Sequence, residues 1–171
     1  MPPPDPKAGG SEKLPLGQVI LLAALTATLP ASLDGLSPAL PAIAQGLSTD
    51  AAHVSAAISA FVILFALAQL AGGMLADALG RRPVVLGGLV IYVAGSIGAA
   101  YAPNFELLLV ARAFQGLGAA AAVLLARTIV RDQLPREAAA QALALIGVFF
   151  SLTPIIVPLV SGALVALAGW R

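Results

Sequence analysis

Two charged residues fall inside the long apolar runs of this 171-residue chain, Asp34 and Arg112. An ionised side chain at mid-bilayer costs at least about 2.5–3.5 kcal/mol on insertion scales, so each needs a wet cavity or a partner. A carboxylate in such a place can take up and release a proton as hydration or occupancy changes around it, and a guanidinium can hold an anionic or acceptor group. At the helical rise, Asp34 lies roughly 27 Å along its helix from Leu16 and Arg112 roughly 28 Å back from Arg131. The similar depth makes them candidates for opposite walls of one proton and substrate cavity. Gln115, one turn beyond Arg112, adds an amide for a substrate or a neighbouring helix. Plainer roles stand beside these. "LDGLSP" is good turn chemistry for a first helix shortened at Pro30 or Pro38, and Arg112, only five residues inside its run, can snorkel to the interface.

A second concentration of chemistry is "GGMLADALGRRP", residues 72–83, with Gly73, Asp77, Gly80, Arg81 and Arg82. A connection of a few residues between antiparallel helices needs close backbone approach and left-handed torsions, which glycine supplies. Asp77 and Arg81 are four apart and meet if a helical turn continues, a pair worth a few tenths of a kcal/mol in water. Arg81 and Arg82 also serve simply as topology determinants. An acid adds little to that signal, so Asp77 asks for another role. A contact made in only one state of a rocking molecule, a latch, is one.

The elements that position these groups are membrane helices. The chain is 60% hydrophobic and only 10% charged, against about 25% charged in soluble domains. Charge-free windows run over residues 14–33, 54–76, 83–105 and 138–170, and a fifth, 107–126, is interrupted only by Arg112. An all-α membrane protein with five transmembrane helices is predicted, with spans at about 16–44, 52–75, 83–103, 106–129 and 138–168. Residues 1–14, rich in Pro, Gly and charge, read as a disordered tail. Lys13, the apolar run and "LPAS" imitate a cleaved secretory signal, against which the length of the run and the four later windows argue. If the helices alternate, Lys7, Lys13, Arg81, Arg82, Arg127, Arg131 and Arg136 share one side, whereas the opposite loops carry only Asp50, His53 and Glu106. That asymmetry predicts a cytoplasmic N-terminus, with Arg171 as the one exception.

Gly95 with Ala99, Gly116 with Ala120, and Gly118 with Ala122 repeat every four residues, the spacing for close helix packing. Pro154 and Pro158 predict a kinked fifth span. His53 reads as a surface histidine. A net charge of +1 and the absence of cysteine offer no field for nucleic acid and no thiolate metal site. With one histidine, no intramembrane carboxylate pair and no metal-ligand spacing, an enzyme of the membrane interior is disfavoured.

The loop pattern Gly73, Leu75, Asp77, Gly80, Arg81, Arg82 resembles the GxLxDxxGRR signature of the major facilitator superfamily of secondary transporters. "LLVARAFQGLGAA", residues 108–120, is similar to its fourth-span motif, and "SLDGLSPALPAI", residues 32–43, to the first-span pattern of proton-coupled drug exporters. "IVRDQLPREAAAQALALIG" and "TPIIVPLVSGAL" resemble the Bcr/CflA-type exporters linked to bicyclomycin and chloramphenicol resistance. The fifth span departs from the antiporter pattern GPxxGG: Pro158 and Gly162 fit, but Val157 and Ser161 stand where glycines are expected.

The resemblance implies the N-terminal part of the superfamily's helical bundle in a bacterial inner membrane, with the sixth span and the C-terminal half absent. It implies proton-coupled export of drugs by alternating access, driven by the proton gradient without a cofactor. The partners implied are the lipid bilayer, a small-molecule drug and the missing C-terminal half, with no nucleic acid. By the same resemblance Asp77 and Arg81 join Asp132 in the latch. Two alternatives remain: uptake of a small anion or sugar, with Arg112 on the substrate and Asp34 structural, and a transport-inactive fragment.

Overall fold

The computed structural model describes residues 15–170; the tail expected over 1–14, with Lys7 and Lys13, and Arg171 at the other terminus lie outside them. Among the described residues, five helical stretches are long and apolar enough to cross a membrane. The first is interrupted. Helix α1 (Leu16–Asp34) ends in a turn, a 3-10 segment follows over Ser37–Ala39, and α2 (Leu40–Gly46) completes the crossing. The others are α3 (Ala51–Leu79), α4 (Arg81–Ala100), α5 (Phe105–Gln133) and α6 (Arg136–Ala168).

Local chemistry sets these boundaries. Asp50 caps α3 by accepting the His53 N–H at 2.7 Å, and Asn104 caps α5 by accepting the Leu107 N–H at 3.0 Å, each satisfying a donor that a helix start leaves open. Between α3 and α4 the connection is a single residue, Gly80, with φ +88° and ψ 154°, a region open essentially to glycine alone. The spans expected at about 52–75 and 83–103 leave a loop of several residues between them. The helices instead run up to Gly80 from both sides, so Asp77 lies in the last turn of one helix and Arg81 begins the next.

Helix α5 is the hub, packing against α3, α4 and α1, while α6 lies against α1. Most of the inward face of α5 is glycine and alanine, and the packing shows why. A Cβ on Gly116 would run into the backbone carbonyl of Phe61 on α3, and one on Gly95 would stand 2.8 Å from the Ala111 carbonyl and the Gln115 nitrogen. Lipid supplies no hydrophobic drive between helices, so backbone proximity through small residues supplies the packing. One buried cluster, including Leu22, Val130 and Ile146, ties α1, α5 and α6; another, including Ile43, Val54 and Leu108, ties α2, α3 and α5. Between them sits the polar site.

Helix α6 runs unbroken through Pro154 and Pro158. Ahead of them, Ser151 and Thr153 donate their hydroxyls to the carbonyls of Gly147 and Phe149 at 2.9 Å, so these polar groups are satisfied within the helix, as a lipid setting demands.

Candidate functional site

Arg112 lies roughly 10 Å along α5 from Phe105 at the helical rise and is only 4% exposed. One terminal nitrogen donates to the backbone carbonyl of Ser32 at 2.7 Å and the other to Oε1 of Gln115 at 2.8 Å. The guanidinium carbon stands 4.8 Å from the centroid of the Phe61 ring, within cation–π range. Nε has no hydrogen-bond partner. The Gln115 amide passes the chain on, donating to Ser96 Oγ at 2.8 Å, which donates to the Tyr92 carbonyl at 2.8 Å. The Tyr92 hydroxyl meets Ser32 Oγ at 2.7 Å, closing a ring of contacts between α1, α4 and α5.

The Ser32 carbonyl belongs to the last turn of α1. Helix C-termini carry about half a negative charge on their open carbonyls, so the interruption of the first span is what presents a partner to the buried cation. Beside this ring is a cavity of about 420 Å³, walled by α1, α4, α5 and α6 and lined by Arg112, Gln115, Tyr92, Ser161 and Trp170 among others.

Asp34 does not line it. It is partly buried at the end of α1, and the Arg112 guanidinium takes the Ser32 carbonyl instead. The depth estimate used the helical rise alone; azimuth decides the rest. At about 100° per residue, the lining residues Ala31, Gly35 and Ser32 centre on one direction, and Asp34 falls roughly 105° to the side of it. The structure therefore places Arg112 and Gln115 together in the cavity wall and leaves Asp34 out of it.

The two departures in the fifth span prove to be contacts at this joint. Ser161 donates its hydroxyl to the Gly35 carbonyl, and Val157 packs against the same residue. A Cβ on Gly162 would stand 3.7 Å from Pro38 Cβ, so this glycine faces the same joint. Helix α6 is thus fastened to the break in the first span by the side chains that replace glycine.

At the end of the bundle that carries the basic residues, Arg81 forms an ion pair with Asp132, both about two-fifths exposed at 38% and 41%. Arg81 opens α4 and Asp132 lies in the last turn of α5, so each charge faces the unfavourable pole of its own helix and the pair offsets both mismatches. Asp77 does not join them. The expected Asp77–Arg81 contact requires a continuing helical turn, and Gly80 breaks it; Asp77 is exposed and forms no ion pair among the described residues. Arg82 is exposed as well, and Gly73 sits within α3 with open space where a Cβ would be.

Residues 20–171 match the Major Facilitator Superfamily. The chain belongs to this superfamily. Among its relatives, a chloramphenicol resistance protein of Pseudomonas aeruginosa is 34% identical over 90% of this chain and 37% of its own length. An uncharacterized MFS-type transporter of Bacillus subtilis, YdgK, is 32% identical over 95% of this chain and 40% of its own. Multidrug resistance protein D of Escherichia coli is 30% identical over 78% and 34% respectively. The chain therefore spans about two-fifths or less of the length of these curated relatives. The likeness is thus to a superfamily of membrane transport proteins and not to enzymes.

Within this superfamily member, five polar-site residues escape a reading of the sequence: Ser32, Phe61, Tyr92, Ser96 and Ser161. For two of them a signal existed. Tyr92 and Ser96 are the only polar residues between Pro83 and Tyr101, and they stand four apart on one helical face. Ser32 acts through its carbonyl and its hydroxyl, Phe61 through its ring face, and Ser161, visible in the sequence only as a departure from a glycine pattern, through a partner 126 residues away; none of these contacts carries a local signature.

Proposed function

We propose that this chain forms part of a proton-coupled exporter of drugs or other small xenobiotics that works by alternating access. The N-terminus faces the cytoplasm and the bundle lies in a bacterial inner membrane. The proton gradient supplies the energy, without a cofactor. The observation that carries the reading is the buried Arg112 ring beside a cavity between the helices, in a chain whose relatives include proteins named for multidrug and chloramphenicol resistance. Arg112 and Gln115 face the substrate.

Asp34 exchanges the proton. It sits two residues beyond the Ser32 carbonyl that holds Arg112, at the joint where α1 ends. Gain or loss of its charge there biases the contacts of Gly35 with α6 and of Ser32 with α5, which is how a local protonation moves a packed bundle between two arrangements. The Arg81–Asp132 pair holds one of those arrangements, with Asp77 and Arg82 at its edge, and Pro154, Pro158 and Gly162 let α6 bend against α1. A C-terminal half supplies the body against which the bundle rocks.

The test uses everted membrane vesicles carrying the protein expressed from its gene, with labelled chloramphenicol as probe. A pH gradient, acid inside, drives accumulation in the wild type; Asp34→Asn abolishes it with membrane insertion unchanged. Accumulation that ignores the gradient sinks the proton coupling, and full activity in Asp34→Asn removes Asp34 from it.

A further inference from the structure

The charge balance of the cavity bears on what it takes up. Among the described residues that line it there is one ionised side chain, Arg112, and no Asp or Glu. The acceptors on the guanidinium are a backbone carbonyl and a side-chain amide, which satisfy N–H groups without cancelling a full charge; the terminus of α1 contributes about half a charge at most. Nε stays open at a residue only 4% exposed. A buried guanidinium in this condition is unfinished, because a charge removed from water is stable only when paired. An incoming anion completes it; an incoming cation adds a second uncompensated charge. The other lining residues are mostly apolar, with Gln115, Ser32 and Ser161 as polar groups and Tyr92 and Trp170 as the aromatic ones, and the volume of about 420 Å³ falls in the range of small-molecule sites, roughly 300–1,000 Å³.

We propose that this cavity is a binding site for small organic anions, a carboxylate on an aromatic or other apolar body, and that it discriminates against cations of the same shape. The proposal rests on the cavity being the substrate site. It narrows the exporter's substrates to those that present an anionic oxygen to Arg112, with a neutral acceptor group second and a cation last.

The experiment measures binding of three probes of one shape and different charge to the purified protein in lipid nanodiscs: para-tert-butylbenzoate, para-tert-butylbenzamide and para-tert-butylbenzamidinium. The benzoate is expected to bind about tenfold more tightly than the amide, the margin of a charge-assisted hydrogen bond over a neutral one, and the amidinium more weakly than either. In Arg112→Gln the benzoate falls to the level of the amide; Arg112→Lys retains part of the preference. Where Arg112→Gln does not fold, the wild-type ranking decides alone. An amidinium that binds as tightly as the benzoate overturns the proposal, as does failure of all three probes to bind or a benzoate preference that survives Arg112→Gln. Chloramphenicol accumulation in vesicles separates the two readings. Gradient-driven transport with a cation-first ranking removes the anion site alone, whereas an anion-first ranking without transport removes the exporter and leaves the site.

Discussion

Arg112 and Arg81 are the same side chain solved in opposite ways. Arg112, almost wholly buried, is held by neutral oxygens and an aromatic face and has no carboxylate; Arg81, two-fifths exposed, has a carboxylate partner in Asp132. Stability alone would favour the reverse, since the interior cation has more to gain from a full counter-charge and the boundary cation can rely on water. The difference teaches where function has been placed. A carboxylate next to Arg112 would make a finished pair; neutral partners fix the guanidinium's position and leave its charge unspent. At the boundary the finished pair costs little to break, as the latch proposed above requires.

The sharpest way to break this comparison is at the interior arginine. Arg112→Leu strips two charge-assisted bonds, each worth about 1.5–3 kcal/mol, and leaves Gln115 and the end of α1 without their common partner. Chloramphenicol accumulation in vesicles is expected to fall on the order of a hundredfold with expression retained; a loss within about threefold would mean that the ring is mere scaffolding. Gly116→Ala approaches the same ring from beneath. Its new methyl meets the backbone of Phe61, whose ring lies against Arg112, so α3 and α5 must separate. The purified protein should lose about 1–3 kcal/mol, read as a lower Tm, and transport should fall with it.

How much of this could be read in the sequence depends on the kind of constraint. Arg112 was legible because lipid forbids an idle charge, and Gln115 because a spacing of three on a helix leaves little freedom. Gly80 was legible because a tight connection between two helices needs its torsions. Asp34 was half legible: helical rise fixes depth along a span, but the face on which a residue lies depends on which neighbours pack against it. The partners in the ring come from other helices, 80 residues apart for Ser32 and Arg112, and hydroxyls and backbone carbonyls are too common to announce themselves. Asp77 shows the limit in reverse. Its spacing from Arg81 promised a pair, and one glycine between two helices cancelled it.

At the boundary the expected effects shrink. A double-mutant cycle on Arg81→Ala and Asp132→Ala should give a coupling of about 1 kcal/mol or less in stability, weakening as salt is raised. Their effect on transport should exceed their effect on stability, since a contact that exists in one arrangement biases the cycle without holding the fold. A coupling as large as that of a buried pair would erase the contrast with Arg112.

The smallest effect lies at the opposite end, where Asp50 caps α3, its side chain 63% exposed. Its carboxylate is held below its ordinary pKa first by the His53 N–H and then by the His53 side chain. A carboxyl whose pKa is lowered in the folded state contributes stability that is complete above the unfolded value and is lost as pH falls through the lowered one. The contact is therefore intact at neutral pH and fails only in strong acid. The backbone amide resonance of His53 should titrate with a midpoint below about 3.9, the ordinary aspartate value, and the titration should vanish in Asp50→Asn. A midpoint at or above that value would show that the cap does not favour the ionised form. With it, the three sites order by exposure, a buried cation, a half-exposed pair and a solvated cap, and the effect of their substitution on transport is expected to fall in the same order.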